Sequence, residues 1–265
     1  MTTSTNQRAA HLPQTSRADA ERHSTAEYAA LVARVGAPEP EHWAAQTDCT
    51  EWTVRELVAH LAGASEEAVR MGVSAVHMTK AALRLRKPSD RDPAGHVCDL
   101  QIERRAGMSA EELRADLERW AAGAPRARRR QPRLMRAVKL PTFAGLRPGV
   151  RMSYALDVIY TRDLWLHRVD LARATGQPMP TSTAEGEVVA RVVRDLDAAW
   201  TGPAFELVLT GRGGGSWLVG EGAVTGRLEG DAVTVMRSLS GRHGDVPLDG
   251  PTRLADELRA ARVVF

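Results

Sequence analysis

Asp163-Leu164-Trp165-Leu166-His167-Arg168-Val169-Asp170 lies in a run from about Met152 to Thr175 that holds neither Pro nor Gly and ends at Gly176. Apolar residues at Ile159, Leu164, Leu171 and Ala174 recur at helical spacing, and a glycine just past the last of them is a C-cap signal, so the run predicts one long buried helix. Asp163, His167 and Asp170 then stand at i, i+4 and i+7 and project from one stripe. Carboxylate oxygen and neutral imidazole nitrogen are both ordinary zinc ligands, and one helical turn brings them within reach of a single divalent cation. The same spacing also arises by chance on solvated helices. The pair therefore needs a third ligand from another helix.

Working outward, Cys49-Thr-Glu-Trp52-Thr53-Val-Arg-Glu56-Leu-Val-Ala-His60-Leu supplies a candidate. Thr53 and Glu56 form a capping box that fixes where a helix starts. His60 sits two turns in, among Leu57, Val58 and Leu61, where an imidazole faces either the core or a neighbouring helix. A second capping box, Ser109-Ala-Glu-Glu112, opens a helix through Leu113, Leu117 and Trp120. Ala26 to Val35 reads as a short first helix followed by a Pro38-Glu39-Pro40 link, and Glu66 to about Arg86 as another helix, stopped by Lys87-Pro88-Ser89-Asp90. These elements predict a helical bundle.

Composition sets the outer limits. A chain of 265 residues predicts two domains rather than one. Two cysteines exclude a disulfide framework and a four-cysteine zinc site, which suits a reducing cytoplasm. A formal charge of +3 gives no ground for a nucleic-acid partner. No apolar run approaches the roughly 20 residues of a membrane-spanning helix, and no signal-peptide core is present at the start. Residues 1–22 are polar enough to predict a disordered lead-in. The six arginines between Arg126 and Arg136 lack interleaved aromatics and read as a solvated loop, with phosphate or a substrate carboxylate as other ligands for them. Pro141, Gly145, Pro148 and Gly149 mark a loop able to lie over the site.

After a linker at Gln177-Pro-Met-Pro180 the pattern changes. Thr183 to Trp200 predicts a helix, Phe205–Thr210 and Ser216–Val219 two strands joined by a turn at Gly213–Gly215, and Ala223–Leu228 a further strand. Helices follow at Ala232–Leu239 and Pro251–Ala261. The glycine triplet lacks the Lys-Ser/Thr of a phosphate loop and reads as a hairpin turn. The expected organisation is a lead-in over 1–22, a helical bundle over 23–178 and a small α+β domain over 181–265.

The segment from Cys49 to Leu61 resembles the second-helix signature of the mycothiol-dependent maleylpyruvate isomerase family, which belongs with the DinB-like metal-binding four-helix bundles. Asp163 to Asp170 is similar to that family's acidic-x3-His-Arg-x-Asp segment. Leu209-Thr-Gly211, Trp217 and Gly241-Arg242 resemble its C-terminal domain. The resemblance implies a DinB-like up-and-down four-helix bundle followed by a sterol-carrier-protein-like α+β domain. It implies zinc or another divalent ion on His60, Asp163 and His167, with a position open for water or a thiolate. It also implies mycothiol as co-substrate, supplying an external thiol that adds to a small electrophile in cis-trans isomerisation or S-transfer. A metal-binding bundle without catalysis is the alternative.

Two departures stand out: Asp163 occupies a position where the family usually has Glu, and Thr50-Glu51 replaces a common Pro-Gly before Trp52. Arg242 is the candidate for holding a substrate carboxylate, with a surface arginine as the plainer reading. Asp170 reads as a salt-bridge partner of an arginine, a residue orienting an imidazole, or a direct ligand. Cys49, near a helix N-terminus, reads as packing rather than as the nucleophile, because the family's thiol is external.

Overall fold

The computed structural model describes residues 7–36, 40–86, 93–140 and 149–265. The predicted breaks at Pro38-Glu39 and Lys87–Asp90, and the covering loop from Pro141 to Pro148, lie outside them. In chain order the elements are strand β1 (Gln7–Arg8), then helices α1 (Arg17–Val35), α2 (Val54–Val69), α3 (Met71–Arg84), α4 (Pro93–Glu103), α5 (Ala110–Ala121), α6 (Ala124–Arg130) and α7 (Arg133–Ala137). Helix α8 (Met152–Tyr154), a π-helical turn (Ala155–Ile159) and α9 (Tyr160–Thr175) follow without interruption, then α10 (Glu185–Ala199). Strands β2 (Phe205–Thr210), β3 (Gly215–Val219) and β4 (Arg227–Asp231) and helices α11 (Ala232–Leu239) and α12 (Thr252–Ala260) complete the chain.

Two compact units result. One comprises Arg17–Arg136 with Leu164–Ser182; the other comprises Met1–Ser16, Ala137–Asp163 and Thr183–Phe265. The division thus falls inside α9, after Asp163, and the stretch from Ala137 groups with the C-terminal elements although it reads in sequence as part of the bundle.

The first unit is mostly helical. Tyr28 and Leu31 of α1, Leu57, Val58 and Leu61 of α2, Leu113 and Leu117 of α5 and Leu164 and Leu171 of α9 share one buried core. Helices α1 and α5 bury one apolar face each, through Tyr28, Leu31 and Val35 and through Leu113, Leu117 and Ala121, whereas α2 over Leu57–Gly63 and α9 over Leu164–Leu171 are buried all round. Both predicted capping boxes are present, at Thr53/Glu56 and Ser109/Glu112. Gly176 ends α9 at φ +64, a left-handed backbone that a side chain would strain.

Three expectations need correction here. The single helix from Glu66 to Arg86 is two, because Arg70 leaves helical geometry while its N–H still reaches the Glu66 carbonyl. The arginine-rich stretch is two short helices rather than a loop: Arg126, Arg129, Arg130 and Arg133 are solvated as expected, but Arg128 and Arg136 are buried, and Arg128 stacks its guanidinium 5.4 Å from the centre of the Tyr28 ring. Helix α4 has no counterpart in the sequence reading at all.

The second unit holds a four-stranded mixed sheet in the order β1-β3-β2-β4. β2 and β3 form the predicted antiparallel hairpin, with Leu209 opposite Gly215, while β2 pairs with β4 and β1 with β3 in parallel. Where composition predicts disorder through residue 22, Gln7 and Arg8 pair with Trp217 and Leu218, and the Arg8 guanidinium donates to the Gly220 carbonyl at 2.9 Å. Backbone pairing and that side-chain contact order the segment, and Ala9 next to it is fully buried. Strand β4 begins four residues later than the predicted Ala223, since its register is set by Leu228 facing Leu207 and it ends on Asp231, the N-cap of α11. Among the described residues no helix is long and apolar enough to cross a membrane.

Candidate functional site

The loop before α2 is closed on itself. The Thr47 N–H donates to the Trp52 carbonyl at 3.1 Å, the Thr47 hydroxyl reaches the same oxygen at 2.7 Å, and the Trp52 N–H returns to the Cys49 carbonyl at 2.8 Å. The capping box then starts α2, with Thr53 N–H donating to Glu56 Oε2 at 2.7 Å. This fixed entry places Trp52 above the helix, its ring centre 4.9 Å from that of His60 and 6.0 Å from that of His167.

His60, Asp163 and His167 come together: one donor atom from each lies within 4.8 Å of the others. His60 and His167 are buried at 6% and 5% exposure, and Asp163 is half-buried. The two imidazoles meet edge to face, with centres 5.3 Å apart. Both rings are oriented through Nδ1. His60 Nδ1–H donates to Gln101 Oε1 at 2.8 Å, and His167 Nδ1–H donates to Asp170 Oδ2 at 3.0 Å. A hydrogen bond at Nδ1 sets the tautomer and assigns metal ligation to Nε2, the usual arrangement around metal-bound histidine. Two imidazoles and a carboxylate so held fit a divalent ion by the chemistry of the donor set, and three protein ligands are what catalytic rather than structural zinc sites have.

Asp170 is fully buried and bonds the imidazole, so of the three roles open to it in sequence the structure displays the orienting one. Cys49, read as packing, stands 3.9 Å from His167 Nδ1 and 3.7 Å from Asp170 Oδ2. Gln101 escaped the sequence reading because α4 did. It reaches His60 through a close crossing at Gly63, where an added Cβ would come within 2.4 Å of Gln101 Cβ. One turn further on, Arg105 is buried and donates to Glu66 Oε2 at 2.9 Å and Asp116 Oδ2 at 2.8 Å, locking α4 to α2 and α5. The signal available in sequence was Gly63 itself, a small residue on the His60 helix.

Around the motif the helix is anchored by buried arginines. Arg168 pairs with Glu27 at 2.9 Å, both fully buried, within the bundle unit. In the other unit Arg162 donates to Asp195 at 2.8 Å and to the Arg191 carbonyl at 2.6 Å, and the Tyr154 hydroxyl donates to Asp195 at 2.5 Å. Burial, opposed by the Arg162 charge and reinforced by Asp195, pushes the Tyr154 phenol up to about 12. Arg242 belongs to this second unit. It is half-buried after Gly241, which turns at φ +88, and its N–H donates to the Arg237 carbonyl at 3.0 Å.

Two oriented imidazoles on α2 and α9 with a carboxylate on α9, in a chain of one mostly helical unit and one unit built on a mixed sheet, define the class: a two-part chain with a candidate metal centre. The chain belongs to the mycothiol maleylpyruvate isomerase N-terminal domain family, whose model matches residues 22–172. Two solved structures resemble it, those of the mycothiol-dependent maleylpyruvate isomerase and of a histidine-to-alanine mutant of that enzyme. They are 19% and 16% identical respectively, each with a TM-score of 0.53 over 92% of this chain and 95% of the other. At that identity the likeness speaks for the fold. No curated protein matches the sequence.

Proposed function

We propose that this protein is a metal-dependent enzyme that uses mycothiol, adding its thiolate to an electrophilic carbon of a small substrate. The observation that carries the reading is the pair of imidazoles turned by Gln101 and Asp170 toward one carboxylate, Asp163. His60, Asp163 and His167 would hold zinc or a similar ion, which when bound lowers the pKa of a thiol and keeps it as thiolate at neutral pH. Gln101 and Asp170 keep both rings in the ligating tautomer. Trp52 covers the rings and limits water. Addition followed by bond rotation and loss of the thiol gives cis-trans isomerisation, whereas release of a displaced group gives S-transfer. Arg242 is proposed to hold a substrate carboxylate through its planar guanidinium.

The test pairs metal content with thiol chemistry in the full-length protein. Wild type should hold about one divalent ion per chain and, only with mycothiol present, either isomerise an electrophile such as maleylpyruvate without net loss of the thiol or consume the thiol in an S-transfer, with His60→Ala losing both metal and activity. Metal binding with neither mycothiol-dependent isomerisation nor thiol consumption against any electrophile would leave a non-catalytic metal-binding bundle instead. Asp163→Glu restores the longer acid of the relatives, and should keep or raise metal occupancy if the site is a working variant of theirs.

A further inference from the structure

His167 faces a second set of donors. On its Nδ1 side stand Asp170 Oδ2 at 3.0 Å and Cys49 Sγ at 3.9 Å, and the sulfur and that carboxylate oxygen are 3.7 Å apart. A tetrahedral zinc with a Zn–S bond of about 2.3 Å and Zn–N and Zn–O bonds of about 2.05 Å separates its donors by about 3.3–3.6 Å. The triangle found here brackets those edges, so an ion can enter with shifts of a few tenths of an ångström in the donors. Cys49 is held in place, its N–H bonded to Thr47 Oγ1 at 3.2 Å and its carbonyl accepting from Trp52 N–H and Gln46 Nε2. His167 and Asp170 are buried and Cys49 is half-buried, which leaves the sulfur as the side from which an ion enters.

We propose that Cys49, His167 and Asp170 form a second metal site, selective for thiophilic divalent ions such as zinc, cadmium or cobalt(II). Thiolate sulfur is the feature that separates it from the His60/Asp163/His167 set, which offers only nitrogen and oxygen. Binding forms one metal–sulfur, one metal–nitrogen and one metal–oxygen bond and releases the thiol proton to solvent, while the ring proton moves from Nδ1 to Nε2; where Nε2 already holds an ion of the first set, the ring proton is released as well. The ion takes over the Asp170 hydrogen bond that orients His167. If the first set is also filled, the imidazole bridges the two ions as imidazolate. Excess thiophilic metal therefore acts on the ring that both sets share.

The site is tested by adding cobalt(II) to metal-depleted full-length protein. Wild type should develop near-ultraviolet thiolate-to-cobalt charge-transfer absorption. His60→Ala, outside the second set, should keep that absorption, and Cys49→Ser should lose it. Independently of any variant, cadmium should slow alkylation of Cys49 by about tenfold or more while leaving Cys98 unchanged, as read by peptide mass spectrometry. Absence of the near-ultraviolet band in wild type, its survival in Cys49→Ser, or equal alkylation of both cysteines with and without cadmium would overturn the proposal. A thiolate band in wild type together with identical cobalt uptake by His60→Ala supports this site and removes the His60-based one.

Discussion

His60 and His167 are held alike and by unlike means. Each donates Nδ1–H to an oxygen about one hydrogen-bond length away, but His167 finds its acceptor three residues ahead on its own helix, whereas His60 depends on Gln101, 41 residues downstream on another helix. The first arrangement is built whenever α9 forms. The second exists only if α4 seats against α2 at Gly63. The acceptors also differ in kind: a fully buried carboxylate on one side, a neutral amide on the other. Of the two, the carboxylate does more to raise the basicity of its imidazole. On the proposed metal reading, the difference gives the stronger ligand to α9 and leaves fine positioning to α4.

Replacing the two acceptors compares them directly. Asp170→Asn should lower metal affinity by about 10–100-fold, and Gln101→Leu by an amount nearer the low end of that range, because outer hydrogen bonds of metal-bound histidines carry effects of this size. Isothermal titration of metal-depleted protein reads both. Equal losses, or a larger one for Gln101→Leu, would break the ranking of charge over amide. Gln101→Glu sharpens it, since placing a carboxylate at His60 should move that ring toward the behaviour of His167.

The same contrast explains what sequence alone discloses. Asp163, His167 and Asp170 share one helix, so spacing places them together, and the capping box at Thr53 fixes the phase of His60. Helix α2 and the hairpin at Gly213–Gly215 are legible for the same reason, that their signals are local. Gln101 is not, because its role follows from a crossing of two helices and α4 begins among Pro, Ser and Asp residues that read as a break. Buried Arg105, Arg162 and Arg168 are equally hidden. An arginine looks solvated in any window until its carboxylate partner, here Asp116, Asp195 or Glu27, arrives from another element. The parallel pairing of β1 with β3 and the grouping of Ala137–Asp163 with the C-terminal elements are long-range in the same sense.

Gly63→Ala tests whether α4 must lie this close. The added methyl would meet Gln101 Cβ at 2.4 Å and Cγ at 2.6 Å, so the helices must part or the glutamine must leave His60. We expect a loss of about 1–3 kcal/mol in stability from overpacking, measured by urea unfolding, and a fall in metal affinity no larger than that of Gln101→Leu. Unchanged stability would mean that α4 adjusts freely and that the Gln101 contact is not set by the crossing.

The smallest effect expected concerns the ion pair that seats α4. Glu66, one turn beyond Gly63 on α2, accepts from Arg105 at 2.9 Å and from Arg104 at 3.3 Å. Its burial alone would push the carboxyl up, but hydrogen bonds and charge from Arg105 and Arg104 outweigh that and hold it below the usual glutamate value. A carboxyl with a depressed value in the folded state binds its proton later than in the unfolded chain. Its contribution is therefore fully present above the unfolded glutamate range, near about pH 4.3, and is lost as pH falls through the lower folded value. Glu66→Gln should accordingly be less stable than wild type at neutral pH, and the gap should close as the solution is acidified below the ordinary glutamate range. Because Arg105 keeps Asp116 as a partner, the loss should be smaller than that of Gly63→Ala. A gap that persists undiminished at acid pH would show that Glu66 stabilises the α2–α4 contact through packing or neutral hydrogen bonding rather than through its charge.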